Sequence, residues 1–252
     1  MEAHPFAGTK TEFKLRVLFI ALVFTAAYTC YTFDHIPAGV VVARWLQHWL
    51  GRLSEEGWAR AVFLAGAALT FAGAIMRTWG TSYLKTVVMR DFKLHTERLV
   101  ADGPFRFVRN PLYFGNILMS IGMGLTASRT GFFVLIVGMT IVVMRLILRE
   151  EAELRATQGE SYRAYCAAVP RLIPSLAPRL PSAGGAPSWL DGFLGEMMMW
   201  GFGAGVVALA LTFNGAAFMI IVWSSFAAQW IIFAIQKSRS KPAASSSSQP
   251  QG

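Results

Sequence analysis

Six long apolar stretches alternate with short charged segments along the chain. They cover residues 17–33, 61–76, 112–126, 131–148, 193–213 and 216–235, and the fourth contains Arg145. Apolar runs of about 20 residues with few charges are typical of helices that cross a bilayer. The pattern therefore predicts an all-α, polytopic transmembrane helical bundle with about six spans.

The connections between these stretches predict how neighbouring helices pair. Residues 127–130 join the third and fourth stretches, and residues 214–215 join the fifth and sixth. Links this short are typical of antiparallel helical hairpins. Gly122 and Gly124 lie in the third stretch, where small residues usually allow close packing of helices.

Basic residues near the ends of the spans indicate the orientation of the bundle. With the N-terminus in the cytoplasm, Arg44, Arg52, Arg60 and Arg129 fall on the outer side, and every other one of the 23 Lys and Arg residues falls in or faces the cytoplasm. Lys and Arg beside spans are retained in the cytoplasm. We therefore expect both termini, and the polar segments 78–111 and 149–178, to be cytoplasmic.

A short amphipathic segment lies between the first two stretches. Trp45, Leu46, Trp49 and Leu50 recur at helical spacing within residues 38–53, beside polar residues such as Gln47. This pattern is typical of a helix that lies in the outer membrane interface. An ordered loop with a belt of aromatic residues fits the same residues.

The composition supports a membrane protein and gives no support to a nucleic-acid-binding protein. Hydrophobic residues make up 54% of the 252 residues and charged residues 15%, whereas roughly a quarter of a soluble chain is charged. The net charge of +9 does not indicate nucleic acid, because topology and anionic lipid headgroups explain basic residues beside spans. The two cysteines, Cys30 and Cys166, indicate neither a disulfide framework nor a metal site.

The order of these features predicts four segments. Residues 1–180 form the membrane core, which carries polar motifs in 97–115 and 149–171. Residues 181–192 are rich in Pro, Gly and Ser and predict a linker, residues 193–236 predict an additional hairpin, and residues 237–252 predict a disordered tail.

The first polar motif contains residue types that suit an anionic ligand. Gly103 and Pro104 predict a turn, Arg106 and Arg109 offer charged donors in a rigid geometry, and Pro111 suits the first position of a helix. Free N–H groups at a helix N-terminus beside arginines would bind a carboxylate or phosphate. Contact of this basic loop with lipid phosphates is the alternative.

The second polar motif carries two adjacent carboxylates. Side chains of neighbouring helical residues point about 100° apart, so Glu150 and Glu151 cannot both face one site, and only one could reach a ligand. The alternative is a solvated helix end stabilised by pairs such as Arg149 with Glu153. Tyr162 and Tyr165 share a face, which could wall an adenine ring or pack on the membrane surface.

Taken together, the two motifs resemble the isoprenylcysteine carboxyl methyltransferase family and its phospholipid N-methyltransferase relatives. Residues 103–115 read GPFRFVRNPLYFG, and Glu150 and Glu151 follow about one helical hairpin later. Tyr162 and Tyr165 then follow a glycine at 159, and residues 169–171 read VPR. The joint pattern covers roughly residues 60–178 and is much more specific than any single piece.

The resemblance implies a methyltransferase that uses S-adenosylmethionine and acts on a lipophilic acceptor, either the carboxyl group of a prenylcysteine-like thioether or a lipid amine. Arg149 and Glu150 are the catalytic residues that the resemblance implies. The cofactor contacts, carried over by position, are Arg98, Leu99, Val100, Phe105, Asn110, Pro111, Leu112, Tyr113 and Glu150. A lipophilic acceptor would enter sideways from the bilayer, while the polar cofactor arrives from the cytosol.

Three positions depart from the family pattern. Asn110 stands where the family has histidine, Phe105 where it has tyrosine, and Leu146 where the prenylcysteine enzymes have arginine. Two other functions remain open beside methyl transfer. One is a membrane reductase of similar architecture that binds NADPH through Lys93, Arg98, Arg106 and Arg109, and the other is a catalytically inactive membrane scaffold.

Overall fold

The computed structural model describes residues 5–90 and 101–239. Within these ranges the regular elements are helical and no β-strand is present. The helices are α1 (Lys10–Lys14), α2 (Arg16–Thr29), α3 (Ala38–Leu50), α4 (Glu55–Arg90), α5 (Pro111–Gly124), α6 (Arg129–Ala168), α7 (Trp189–Gly195), α8 (Met197–Thr212) and α9 (Gly215–Arg239). The all-α class predicted from the sequence is therefore confirmed.

The six apolar stretches all fall on helices, but the helices differ in length. Three of them, at Glu55–Leu84, Arg129–Ala168 and Gly215–Gln236, are long and apolar enough to cross a membrane, and α7 with α8 could form a fourth, bent span. The helix at Arg16–Thr32 is apolar but shorter. Helix α5 has 14 residues, which corresponds to roughly 21 Å. The described residues thus form a membrane bundle, and the number of six spans stays a prediction.

Helix α4 is the centre of the bundle and packs against α3, α5, α7 and α8. It packs closely against α5, where glycines face the opposite backbone. A Cβ atom on Gly66 would lie 2.8 Å from the carbonyl oxygen of Gly122, and one on Gly73 would lie 2.6 Å from that of Gly115. These distances leave no room for a side chain, which confirms that small residues bring the two helices together.

The amphipathic segment predicted between the first two stretches forms helix α3. Trp45 and Trp49 are 60% and 67% exposed, whereas Ala43 on the opposite face is fully buried against α4. The helical alternative is therefore confirmed over the loop. A position in the membrane interface stays a prediction.

Helix α6 consists of two helical segments that meet at a bend at Gly159. Gly159 has φ +57° and ψ −129° inside it, a backbone conformation that L side chains rarely adopt. Before the bend the helix is mostly apolar. The second segment, residues 160–168, places Tyr162 and Tyr165 beside the first motif. The glycine of the second motif thus positions the two tyrosines.

The segment after α6 lies against the first motif. Residues 169–188 follow residues 102–109 through backbone hydrogen bonds from Arg109 N–H to Pro170, from Ser175 N–H to Phe107 and from Arg179 N–H to Arg106. We call residues 169–188 the strap. The strap includes most of the region predicted as a linker, and α7 begins at its end.

Candidate functional site

The first motif forms a compact turn at the start of the site. Gly103 has φ +57°, and a Cβ atom there would collide with the ring of Tyr83. A 3-10 turn, Gly103–Arg106, follows and buries Pro104 and Phe105. The hydroxyl group of Tyr165 donates a hydrogen bond of 2.8 Å to the carbonyl oxygen of Phe105.

The two tyrosines of the second motif are packing residues. Tyr162 and Tyr165 are 3% and 5% exposed, and their ring centroids lie 5.8 Å apart in an apolar cluster with Val169. The structure therefore supports packing for this pair, but inside the protein and not on the membrane surface as the alternative had it. Through Tyr165 the cluster holds the backbone at Phe105 in place.

Asp102 anchors the strap to the turn. Its carboxylate accepts hydrogen bonds of 2.8 Å from the Ser182 hydroxyl and from the backbone N–H groups of Ala183 and Gly185. Burial acts to raise the pKa of Asp102, but these donors and nearby Arg106 outweigh it and hold that pKa below the usual value. The carboxylate is therefore ionised at neutral pH and fixes the strap.

Glu151 is the centre of a buried charge cluster. Its side chain is 2% exposed and accepts from Arg171 at 3.0 Å and from Arg155 at 3.4 Å, while Arg109 lies 3.4 Å away. Asn110 donates to Glu151 at 3.4 Å and to the carbonyl oxygen of Arg171 at 2.9 Å. The cluster joins the first motif, α6 and the strap.

The role of Asn110 follows from this cluster. Both hydrogen bonds of its side-chain nitrogen are made within the protein, so the residue that replaces the family histidine holds the strap. Asn110 directly precedes α5, and Pro111 occupies the first helical position. The N–H groups of the first turn have no partner inside a helix, and Leu112 and Tyr113 carry two of them.

Glu150 faces a different direction from Glu151, about 100° away around the helix. It is half-buried, and the hydroxyl group of Tyr113 and the charge of Arg16 lie close enough to act on its carboxylate. The structure thus brings together two of the residues predicted to contact a cofactor. The approach of Arg16 was not foreseen, because nothing in the sequence pattern connects the start of α2 with residue 150.

Three buried guanidinium nitrogens without a hydrogen-bond partner among the described residues lie close to these carboxylates, although one of them, Arg109 Nη1, is the atom that forms the ion pair with Glu151. Arg149 Nε, Arg109 Nε and Arg109 Nη1 are buried and have no hydrogen-bond partner in the described part of the chain. Arg149 also reaches Glu153, with 3.8 Å between their charged atoms. Buried donors without partners are costly, and Arg149 is among the residues that the sequence predicted for the site.

Three predicted contact residues, Arg98, Leu99 and Val100, lie outside the described residues, as does Lys93. The other predicted residues occupy the turn at Phe105, the start of α5 from Asn110 to Tyr113, and α6 at Arg149 and Glu150. These residues surround the place where the start of α5 lies beside residues 149–151 of α6. We call this place the junction of α5 and α6; it is distinct from the loop 125–128 that connects the two helices.

Sequence reasoning missed a second buried ion pair, between Arg77 and Glu196. The stretch 193–213 was treated as one apolar span, but it contains Glu196, and the helix breaks at that residue. A single carboxylate within an apolar run is itself the signal, because such groups are rare in membranes and need a partner.

The fold and the site place the protein in the class of all-α membrane proteins in which charged motifs meet at one place between two helices, here at the junction of α5 and α6. Residues 61–160 match the family model described as phospholipid methyltransferase, the family that includes isoprenylcysteine carboxyl methyltransferase-like proteins. The predicted resemblance is confirmed over that range. No curated protein and no solved structure gives a significant match. The family match supports a membrane methyltransferase acting on lipid-like substrates.

Proposed function

We propose that the protein transfers a methyl group from S-adenosylmethionine to a lipophilic acceptor at the junction of α5 and α6. The acceptor is the carboxyl group of a prenylcysteine-like thioether or a lipid amine. The observation that carries the proposal is that the two motifs meet inside the segment that matches the methyltransferase family: Asn110 donates to Glu151, and Tyr113 lies beside Glu150.

The residues present fit this cofactor by charge. The methionine part of S-adenosylmethionine carries an ammonium group and a carboxylate, and the nucleoside part carries ribose hydroxyls. The Glu150 carboxylate can accept hydrogen bonds from hydroxyl or ammonium groups, and the unpaired Nε of Arg149 can donate to a carboxylate. Backbone N–H groups at Leu112 and Tyr113 add donors for an anionic group.

The chain's task is to hold and orient the reactants. S-adenosylmethionine, when bound, supplies a methyl group that its sulfonium already activates, so positioning and charge stabilisation are the main requirements. The methyl–sulfur bond breaks as the methyl–acceptor bond forms. An amine acceptor also releases a proton, whereas a carboxylate acceptor releases none and needs no base.

The cofactor and the acceptor reach the site from different sides. The polar motifs face the cytoplasm, as the distribution of Lys and Arg predicts, and the cofactor enters from that side. Because the surrounding helices are apolar, a lipophilic acceptor enters from the bilayer.

Isothermal titration calorimetry of the purified full chain tests the choice of cofactor. We expect S-adenosylmethionine to bind the wild type, and Glu150→Gln to weaken that binding by about tenfold, which corresponds to roughly 1.4 kcal/mol. Glu160→Gln is the matched control, because Glu160 is exposed on the far part of α6. Heat with NADPH and none with S-adenosylmethionine would overturn the proposal in favour of the reductase.

The acceptor is identified in a second experiment. Total lipid extracts and a farnesylated cysteine are incubated with methyl-labelled S-adenosylmethionine and the wild-type protein, and the labelled product is isolated. Label in the farnesylated cysteine supports a carboxyl acceptor, and label in an amine-bearing lipid supports a lipid amine. Cofactor binding without any labelled product would favour the inactive scaffold.

A further inference from the structure

We define α7–α9 as the C-terminal hairpin. The break between α7 and α8 is stabilised by specific contacts within this hairpin. The axes of α7 and α8 differ by 63°. Gln229 of α9 satisfies backbone groups on both sides of the break: it accepts from the N–H of Met198 at 3.2 Å and donates to the carbonyl oxygen of Leu194 at 3.0 Å. Because the next helix satisfies these groups, the break is held in one conformation.

Glu196 occupies the break and is paired with Arg77 of α4. The Arg77 Nε lies 2.7 Å from Glu196 Oε2, and Nη2 lies 3.1 Å from Oε1. The hydroxyl group of Thr81 donates to Oε1 at 2.7 Å. Glu196 is 5% exposed, so its buried charge needs a partner, and the bidentate ion pair with Arg77 supplies it. The pair also connects the hairpin to α4.

The same guanidinium also reaches α5. Its Nη1 donates to Asn116 Oδ1 at 2.7 Å and lies 3.5 Å from the carbonyl oxygen of Leu112. Leu112 belongs to the first turn of α5, where we place cofactor contacts. One side chain thus connects the break in the hairpin with the turn that would hold the cofactor.

We propose that Arg77 and Glu196 are positioning residues that couple the C-terminal hairpin to the cofactor site, so that binding of the cofactor further stabilises the held conformation of the hairpin. The inference rests on the proposed function for the identity of the ligand. Neither residue needs to touch the cofactor, because Arg77 acts through Leu112 and Asn116. The hairpin lies beyond the segment that matches the family.

Coupling between two sites is reciprocal. If the cofactor binds more tightly when the hairpin is held, then the bound cofactor must stabilise the held hairpin by the same free energy. Couplings of this kind are typically about 5-fold to 150-fold in affinity. A purely structural ion pair would stabilise the hairpin without any response to the ligand.

Hydrogen–deuterium exchange of the full-length protein, with and without S-adenosylmethionine, tests the coupling. In the wild type we expect the cofactor to slow exchange in residues 189–199. In Asn116→Ala the Arg77–Glu196 pair is intact, so the hairpin should stay protected without ligand while its response to the ligand falls. In Glu196→Gln the hairpin should exchange faster, and cofactor affinity should fall by about fivefold or more.

The control removes an ion pair of the same helix that faces solvent. Arg60 and Glu56 form an exposed i,i+4 pair on α4, and Glu56→Gln should change neither exchange nor affinity. If the wild type binds S-adenosylmethionine but its hairpin exchange does not respond, the coupling is wrong and the proposed function stands. If the wild type does not bind S-adenosylmethionine at all, both are overturned. If Glu196→Gln does not fold, Asn116→Ala still decides, and an unchanged response there contradicts the link through α5.

Discussion

Glu150 and Glu151 are adjacent in sequence but face different neighbours on two sides of α6. Glu151 is almost completely buried among three arginines, whereas Glu150 is half-buried beside the hydroxyl group of Tyr113. The rotation of about 100° between neighbouring helical residues produces this division. One carboxylate therefore holds the architecture, and the other is the one that we propose contacts the cofactor.

Glu151→Gln should destabilise the protein, because it leaves the surrounding arginine charges without their carboxylate. Removing one partner of a buried pair costs about 3–5 kcal/mol, and the partly exposed Arg155 and Arg171 reduce this toward the lower end. We expect a fall in Tm of about 5 °C or more, measured by thermal unfolding in detergent.

Glu150→Gln is the matched comparison for that variant. It should melt within about 2 °C of the wild type while losing affinity for S-adenosylmethionine. An equal loss of Tm in both variants would contradict the division of roles between the two carboxylates.

The sequence predicted where the apolar helices and α3 lie, because apolar runs and helical spacing are local properties of the chain. Helical geometry alone could not choose between Glu150 and Glu151, since the choice depends on the rotation of α6 against α5 and the strap; only the family resemblance implied Glu150. The break at Glu196 was missed for a related reason: its partner Arg77 is distant in sequence, and only packing brings them together. Residues 169–188 carry no strong pattern, so their attachment to Asp102 was not foreseen either.

Asp102 should make the stability of the strap depend on pH. Its pKa in the folded protein lies below the ordinary value of 3.8, so its ionised form is stabilised by folding. That stabilisation is fully present above about pH 4 and is lost as the pH falls through the folded pKa. We expect the wild type to melt above Asp102→Asn at pH 7, and the difference in Tm to shrink toward zero as the pH falls below 3.8.

The outer carboxylate Glu55 provides the control for Asp102. It is half-exposed and pairs with Arg44 at the surface, so Glu55→Gln should change Tm little at either pH. A difference between the wild type and Asp102→Asn that does not vary with pH would argue against an ionised anchor.

Gly103→Ala should disturb the first motif in two ways. The positive φ costs about 1–2 kcal/mol for any L side chain, and the added methyl group also meets the ring of Tyr83. Gly51 has nearly the same φ of +58° but open space around it. Thermal unfolding should therefore show a larger fall in Tm for Gly103→Ala than for Gly51→Ala, and equal falls would mean that the Tyr83 contact is unimportant.

Membrane orientation can be tested by labelling single cysteines from one side. Cys30 and Cys166 are first replaced by Ala and Ser. Arg52→Cys, in the exposed link between α3 and α4, should then react with a membrane-impermeant maleimide in intact spheroplasts. Ala156→Cys, exposed on the polar part of α6, should react only after the membrane is permeabilised.

The expected labelling pattern follows from the charges that flank the helices. Arg52 lies among the few basic residues predicted outside, and position 156 lies beside Arg149, Arg155 and Arg163, which the positive-inside rule retains in the cytoplasm. The reverse labelling pattern would place the junction of α5 and α6 on the outer side. S-adenosylmethionine made in the cytosol could then not reach Glu150 and Tyr113 directly, so labelling tests the proposed site as well as the orientation.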